Sequence, residues 1–160
     1  MGAAAARISA DKDKPMTSRI SGVDVARFAP YVLTVLRIVA AALFLEHGLV
    51  KLVGFPAGAS PGAQPLMTLF GLAAIIETVT GTLMILGLFT RSAALVASGE
   101  MAVAYWLVHA PHGLYPVING GEAAILFCFV FLYIAMAGPG VLSLDGLRER
   151  FSMEGRLSQA

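Results

Sequence analysis

Four long apolar runs constrain this chain more than any other feature. Residues 31–53 (YVLTVLRIVAAALFLEHGLVKLV), 66–89 (LMTLFGLAAIIETVTGTLMILGLF), 92–109 (SAALVASGEMAVAYWLVH) and 121–137 (GEAAILFCFVFLYIAMA) each approach the ~20 residues that cross ~30 Å of hydrocarbon at ~1.5 Å per residue. They predict four transmembrane helices, and so an all-α polytopic membrane protein, a four-transmembrane-helix bundle. The connecting stretches agree: GFPAGASPGAQP and APHGLYPVING carry helix-ending prolines and glycines, TR is a two-residue turn, and GPGVLSLDG stops the last run. Composition points the same way. The chain is 58% hydrophobic and 13% charged, with mean hydropathy +0.79, whereas soluble domains are roughly 25% charged.

The bundle domain therefore occupies residues 31–142, with a tail at either end. Residues 1–30 are expected to be a disordered cytoplasmic tail. The first 27 residues hold five basic and three acidic side chains, and no apolar run long enough for a signal-peptide core. Residues 143–160 are expected to be a cytoplasmic C-terminal tail. Net charge is +1, so no strong field invites nucleic acid. Cys128 is the sole cysteine, which excludes an internal disulfide and a CxxC redox pair.

Orientation follows from Lys and Arg placement. Arg7, Lys12, Lys14, Arg19 and Arg27 precede the first run, Arg91 lies between the second and third, and Arg148, Arg150 and Arg156 follow the fourth. Nine of eleven positive charges thus fall on one side. Both termini are predicted to be cytoplasmic, with loops 54–65 and 110–120 outside.

Ionisable groups inside a membrane span are costly and turn toward the bundle interior or water. By distance from the run ends they sort into two layers. Arg37, Glu77 and Glu100 are assigned to the middle of the membrane, and the small residues beside them (Ala41 and Gly48, Ala74 and Gly81, Ala93 and Ala97) mark helix contact faces. Arg37 is expected to pair with one or both glutamates. A structural ion pair, a proton relay and a site for the polar head of a lipid-soluble substrate are the readings open for this cluster. His47, Lys51, His109, Asn119 and Glu122 are assigned to the outer face. They are expected to line a pocket between the first, third and fourth helices, floored by Phe44, Trp106 and Phe127. With Glu46, which also ends the first run, two His and two Glu supply metal-like donors there, but Lys51 opposes a cation and the spacing does not require one, so no metal is assigned. A headgroup-level polar belt and a pocket for an amphipathic molecule are the alternatives.

Taken in order, these features resemble the DoxX family of small four-helix bacterial membrane proteins. Arg37 precedes F-L-E-H-G-L-V-K-L (44–52); Glu77-x3-Gly81 leads into L-G-L-F-T-R-S-A-A (86–94); then come Met101, a His-containing loop, Asn119-Gly-Gly-Glu122, and G-P-G-V-L-S-L-D (138–145). The resemblance covers about residues 31–146. It implies a multi-pass protein of the bacterial inner membrane with a loose association to quinone-linked respiration. The family takes its name from a small subunit of a terminal quinol oxidase or thiosulfate–quinone oxidoreductase, and some members resemble components of membrane oxidoreductase assemblies that handle oxidative stress.

The expected function is then a non-catalytic or quinone-interacting subunit of such an assembly, and not a self-contained enzyme. Its expected company is the lipid bilayer, soluble or membrane oxidoreductase partners and further copies of itself. A quinone is the implied cofactor, with none covalently attached. Two other classes remain open: a small proton-coupled transporter using Arg37, Glu77 and Glu100, and a membrane assembly factor without substrate.

Overall fold

Pro30 sits in the first turn of the first long helix, where its missing N–H costs nothing. That helix, α1 (Ala29–Val53), follows a 3-10 turn at Val25–Phe28 and stops at Gly54, whose φ of 74° closes the C-terminus. The structure, a computed structural model, describes residues 25–157, so most of the expected N-terminal tail lies outside the described residues.

Helix α2 (Leu69–Leu86) opens at Thr68, whose hydroxyl accepts from Gly71 N–H at 3.1 Å, and ends at Gly87 in the left-handed region. A threonine cap and a left-handed glycine thus trim the second apolar run at its two ends. Helix α3 (Thr90–Ala104) begins after Phe89, a non-glycine residue at φ 49°, and continues as a π turn (Tyr105–His109) and a 3-10 turn (Ala110–His112). A short α4 (Pro116–Asn119) leads into α5 (Glu122–Ala137), and α6 (Leu144–Leu157) completes the described chain. The segment expected as a C-terminal tail is therefore mostly helical. Its mixed charges and two glycines hide the helical pattern in the sequence.

Helices α1 and α2 form one tightly packed pair and α3 and α5 another, with α2 against α3 joining them. Small residues make this possible. Ala41, Ala74, Ala94 and Ala97 are fully buried. A Cβ on Gly81 would stand 3.1 Å from the Leu45 side chain and 3.2 Å from the Ala41 carbonyl. Phe44, Phe127 and Phe131 fill the centre with ring centroids 4.8–5.6 Å apart.

Among the described residues, three helical stretches are long and apolar enough to cross a membrane, and α5 is a shorter apolar helix of 16 residues. Large apolar side chains such as Val35, Val39, Leu43, Leu72, Leu95 and Phe129 cover the outside of the bundle. A surface of this kind requires lipid as its solvent. The protein is an all-helical membrane bundle in contact with the bilayer.

One end gathers the start of α1, the α2–α3 turn and the start of α6, and is here called the terminal end. The opposite, loop end holds Lys51, His109 and residues 54–68.

Candidate functional site

Arg37 belongs to the terminal end. Its side chain is fully buried; Nη1 donates to the carbonyls of Met84 and Ile85, and Nη2 to that of Leu142. The last carbonyls of a helix have no partner within it and carry partial negative charge, so a guanidinium closes the end of α2 well. Arg91 does the same for α5, donating to Ala135 O at 2.9 Å and to Met136 O. Asp145 closes the opposite kind of end, its two carboxylate oxygens accepting from Phe89 N–H and Thr90 N–H at 2.9 Å each. Burial pushes the Asp145 carboxyl up, but these backbone hydrogen bonds outweigh it and hold it below the usual carboxylate range.

The expected pairing of Arg37 with Glu77 or Glu100 does not form. Glu77 lies seven and eight residues before Met84 and Ile85, ~10–12 Å along the axis from the carbonyls that Arg37 reaches. The antiparallel register decides the outcome: a Cβ on Gly48 would touch Thr78 and Glu77, while Gly87 faces Arg37. Glu77 therefore lies at the level of the last turns of α1. Its partner is Lys51, with Nζ 2.5 Å from Oε1 and side chains only 15% and 1% exposed.

Around this pair the loop end opens into a cavity of about 290 Å³. Phe44, His47 and Lys51 come from α1, Phe70 and Glu77 from α2, His109 from the π turn and Phe127 from α5. The His47 ring meets Phe127 edge to face at 5.9 Å. His109 Nδ1 lies 3.1 Å from Asn119 O. Glu77 Oε2 is buried with no hydrogen-bond partner. This is an apolar chamber with a charged pair in its wall and one unsatisfied acceptor.

The expected outer pocket is thus assembled from a different set. His47, Lys51 and His109 line the cavity, as do Phe44 and Phe127, and α2 adds Glu77. Asn119 does not line it. Its Nδ2 donates to Gly113 O at 2.7 Å and its Oδ1 accepts from Gly121 N–H at 2.8 Å, which makes it a loop brace. Glu122 is exposed at the start of α5, and Trp106, 68% exposed, faces outward. The ordered motif Asn119-Gly-Gly-Glu122 serves the turn: Gly121 packs so tightly on the Tyr105 ring that a Cβ would come within 2.7 Å of it.

Glu100 sits on the far side of Lys51. It lines a second cavity of about 400 Å³, an apolar groove between α2 and α3. Phe70, Ile76, Leu95 and Gly99 line it, and Lys51 borders both cavities. Glu100 Oε2 is also buried without a partner, and Glu100 feels the charges of Glu77 and Lys51. The two glutamates thus belong with the outer group, and Arg37 stands apart from them. Among the described residues no three His, Cys, Asp or Glu side chains converge to hold a metal ion.

A family model described as DoxX matches residues 32–110 of the chain. A protein of Haemophilus influenzae, described as uncharacterized, is 41% identical over 129 residues, covering 76% of this chain and 94% of its own length. No solved structure matches the chain.

Proposed function

The chain belongs to the DoxX family, and from that premise we propose that it is a quinone-interacting, non-catalytic subunit of a membrane oxidoreductase assembly. Its proposed setting is the bacterial inner membrane, with the terminal end in the cytoplasm. The observation that carries the reading is Glu77, which lines a chamber walled also by Phe44 and Phe127 and whose Oε2 is buried and unpartnered. Buried polar atoms are ordinarily satisfied, so an orphan at a cavity wall is an invitation to a polar group on a ligand. Lys51, Glu77, His47 and His109 supply the polar contacts, and the phenyl rings supply a surface for a flat ring. The α2–α3 groove gives a long apolar tail a path to lipid. A bound quinone contributes reversible two-electron, two-proton chemistry; the residues here bind it, orient it and exclude water. Electrons would pass to or from a partner protein.

A proton-coupled transporter is the second reading. Lys51 favours it by bordering two cavities that each hold an unpartnered carboxylate oxygen. Arg37 takes no part in it, because both of its Nη groups are engaged at the terminal end, away from the two cavities.

Mass spectrometry of lipids retained by protein extracted in native nanodiscs tests the proposal. A quinone held at about one per chain by wild type, and lost in Lys51→Met, is the expected result. Protein that retains only bulk phospholipid, yet drives pH-dependent flux in vesicles, would overturn it in favour of transport.

A further inference from the structure

The chamber beside Lys51 offers a ligand an uneven set of hydrogen-bond partners. Glu77 is 1% exposed; its Oε1 is taken by Lys51 Nζ, and its Oε2 is buried and free. A carboxylate beside an ammonium only accepts. His109 adds a second acceptor. Its Nδ1 faces the Asn119 carbonyl at 3.1 Å, and a carbonyl cannot donate, so Nδ1 carries the hydrogen and an uncharged ring in this pose offers its lone pair on Nε2. Lys51 has three N–H donors, of which Glu77 engages one.

We infer that the ligand of this chamber is a lipid-soluble hydroxyl compound, which gives its O–H to Glu77 Oε2 while its oxygen accepts from Lys51 Nζ. The inference rests on the quinone-type reading of the same chamber and narrows it to the phenolic, hydrogen-bearing form. A hydroxyl both donates and accepts, so one group satisfies both members of the pair. A quinone carbonyl accepts from Lys51 but leaves Oε2 unpaired, and a buried unpaired acceptor carries its full desolvation penalty. A fatty carboxylate is excluded on charge: it would set a second anion beside Glu77 in apolar surroundings. An ether has the same fault as the carbonyl.

The chemistry permits a test with two probes that differ by one hydrogen-bond donor. 4-Nonylphenol and 4-nonylanisole share ring, chain and oxygen, but only the phenol can donate. Each is titrated into nanodiscs holding the full chain, with empty nanodiscs subtracted to remove partition into lipid. Wild type is expected to bind the phenol saturably and at least about tenfold tighter than the anisole. Glu77→Gln turns an N–H toward the chamber if its oxygen stays on Lys51, and is expected to erase or reverse that preference. Equal affinity of wild type for the two probes would overturn the inference while leaving the chamber a ligand site. Binding of neither probe, with no quinone retained, would overturn the inference and the quinone reading together. The wild-type ratio decides the matter even if Glu77→Gln fails to fold.

Discussion

Gly48 of α1 lies so close to Thr78 of α2 that a Cβ built on it would stand 2.6 Å from Thr78 Oγ1 and 2.8 Å from Thr78 N. This approach sets the register that brings Lys51 to Glu77, one turn further along α1. Gly48→Ala is expected to force the pair of helices apart, at a cost of ~1–3 kcal/mol. Gly99→Ala is the control: its Cβ meets nothing within 4 Å, and replacing glycine in a helix is neutral or mildly stabilising. Reversible unfolding in mixed micelles measures both.

Lys51 and Glu77 should behave as one unit. Lys51→Met alone leaves an uncompensated buried carboxylate, at a cost of ~3–5 kcal/mol, whereas Lys51→Met with Glu77→Gln should cost clearly less than the sum of the single changes. Additive losses in a double-mutant cycle would show that the pair contributes nothing as a pair.

Arg37 is predicted to be independent of both glutamates. Arg37→Met removes donors from the Met84, Ile85 and Leu142 carbonyls and should cost more than about 2 kcal/mol. Combined with Glu77→Gln its effect should add within ~0.5 kcal/mol, because the two sites share no partner. Arg37→Lys should rescue little, since one ammonium cannot reproduce a fork that spans two chain segments.

Asp145 gives the terminal end an acid limit. Its carboxyl is held below the ordinary value by the Phe89 and Thr90 N–H groups. The stabilisation is therefore fully present above the ordinary carboxylate pKa and is lost as pH falls through the lower folded-state value. Asp145→Asn should cost ~1 kcal/mol at neutral pH, as loss of a helix cap does, and should flatten the fall in stability below about pH 4. Thermal unfolding from pH 3 to 7 reads both.

Orientation is checked by single-cysteine labelling in a Cys128→Ala background. A membrane-impermeant maleimide added to intact cells should modify Ala57→Cys and spare Ser152→Cys, the reverse pattern placing the terminal end outside.

Much of the architecture was legible in the chain because lipid imposes it: a helix that must satisfy its own backbone announces itself by the length of its apolar run. The burial of Arg37 and Glu77 was legible for the same reason, since a charge in such a run has to turn inward. Their partners were not. Depth counted from run ends placed Arg37, Glu77 and Glu100 in one layer, but helix–helix register at Gly48 and Gly81 governs who meets whom, and the long 54–68 connection conceals that register. The reach of an arginine side chain added to the error by carrying its charge toward the helix end. Asn119 and Glu122 resembled site residues because a tight turn and a binding site draw on the same polar and glycine vocabulary. Asp145 was invisible as a cap because its target, the start of α3, lies 55 and 56 residues earlier.

The closure of the terminal end has a consequence for biosynthesis. Leu142 accepts from Arg37 across 105 residues of sequence, Val141 N–H donates to Thr34 Oγ1 across 107, and Asp145 caps α3. The helices that need these partners leave the ribosome long before the partners do. The nascent bundle thus waits in the membrane with a half-satisfied arginine and an uncapped helix, and a chain cut short before residue 141 would keep every span yet never complete the end on which three of them depend.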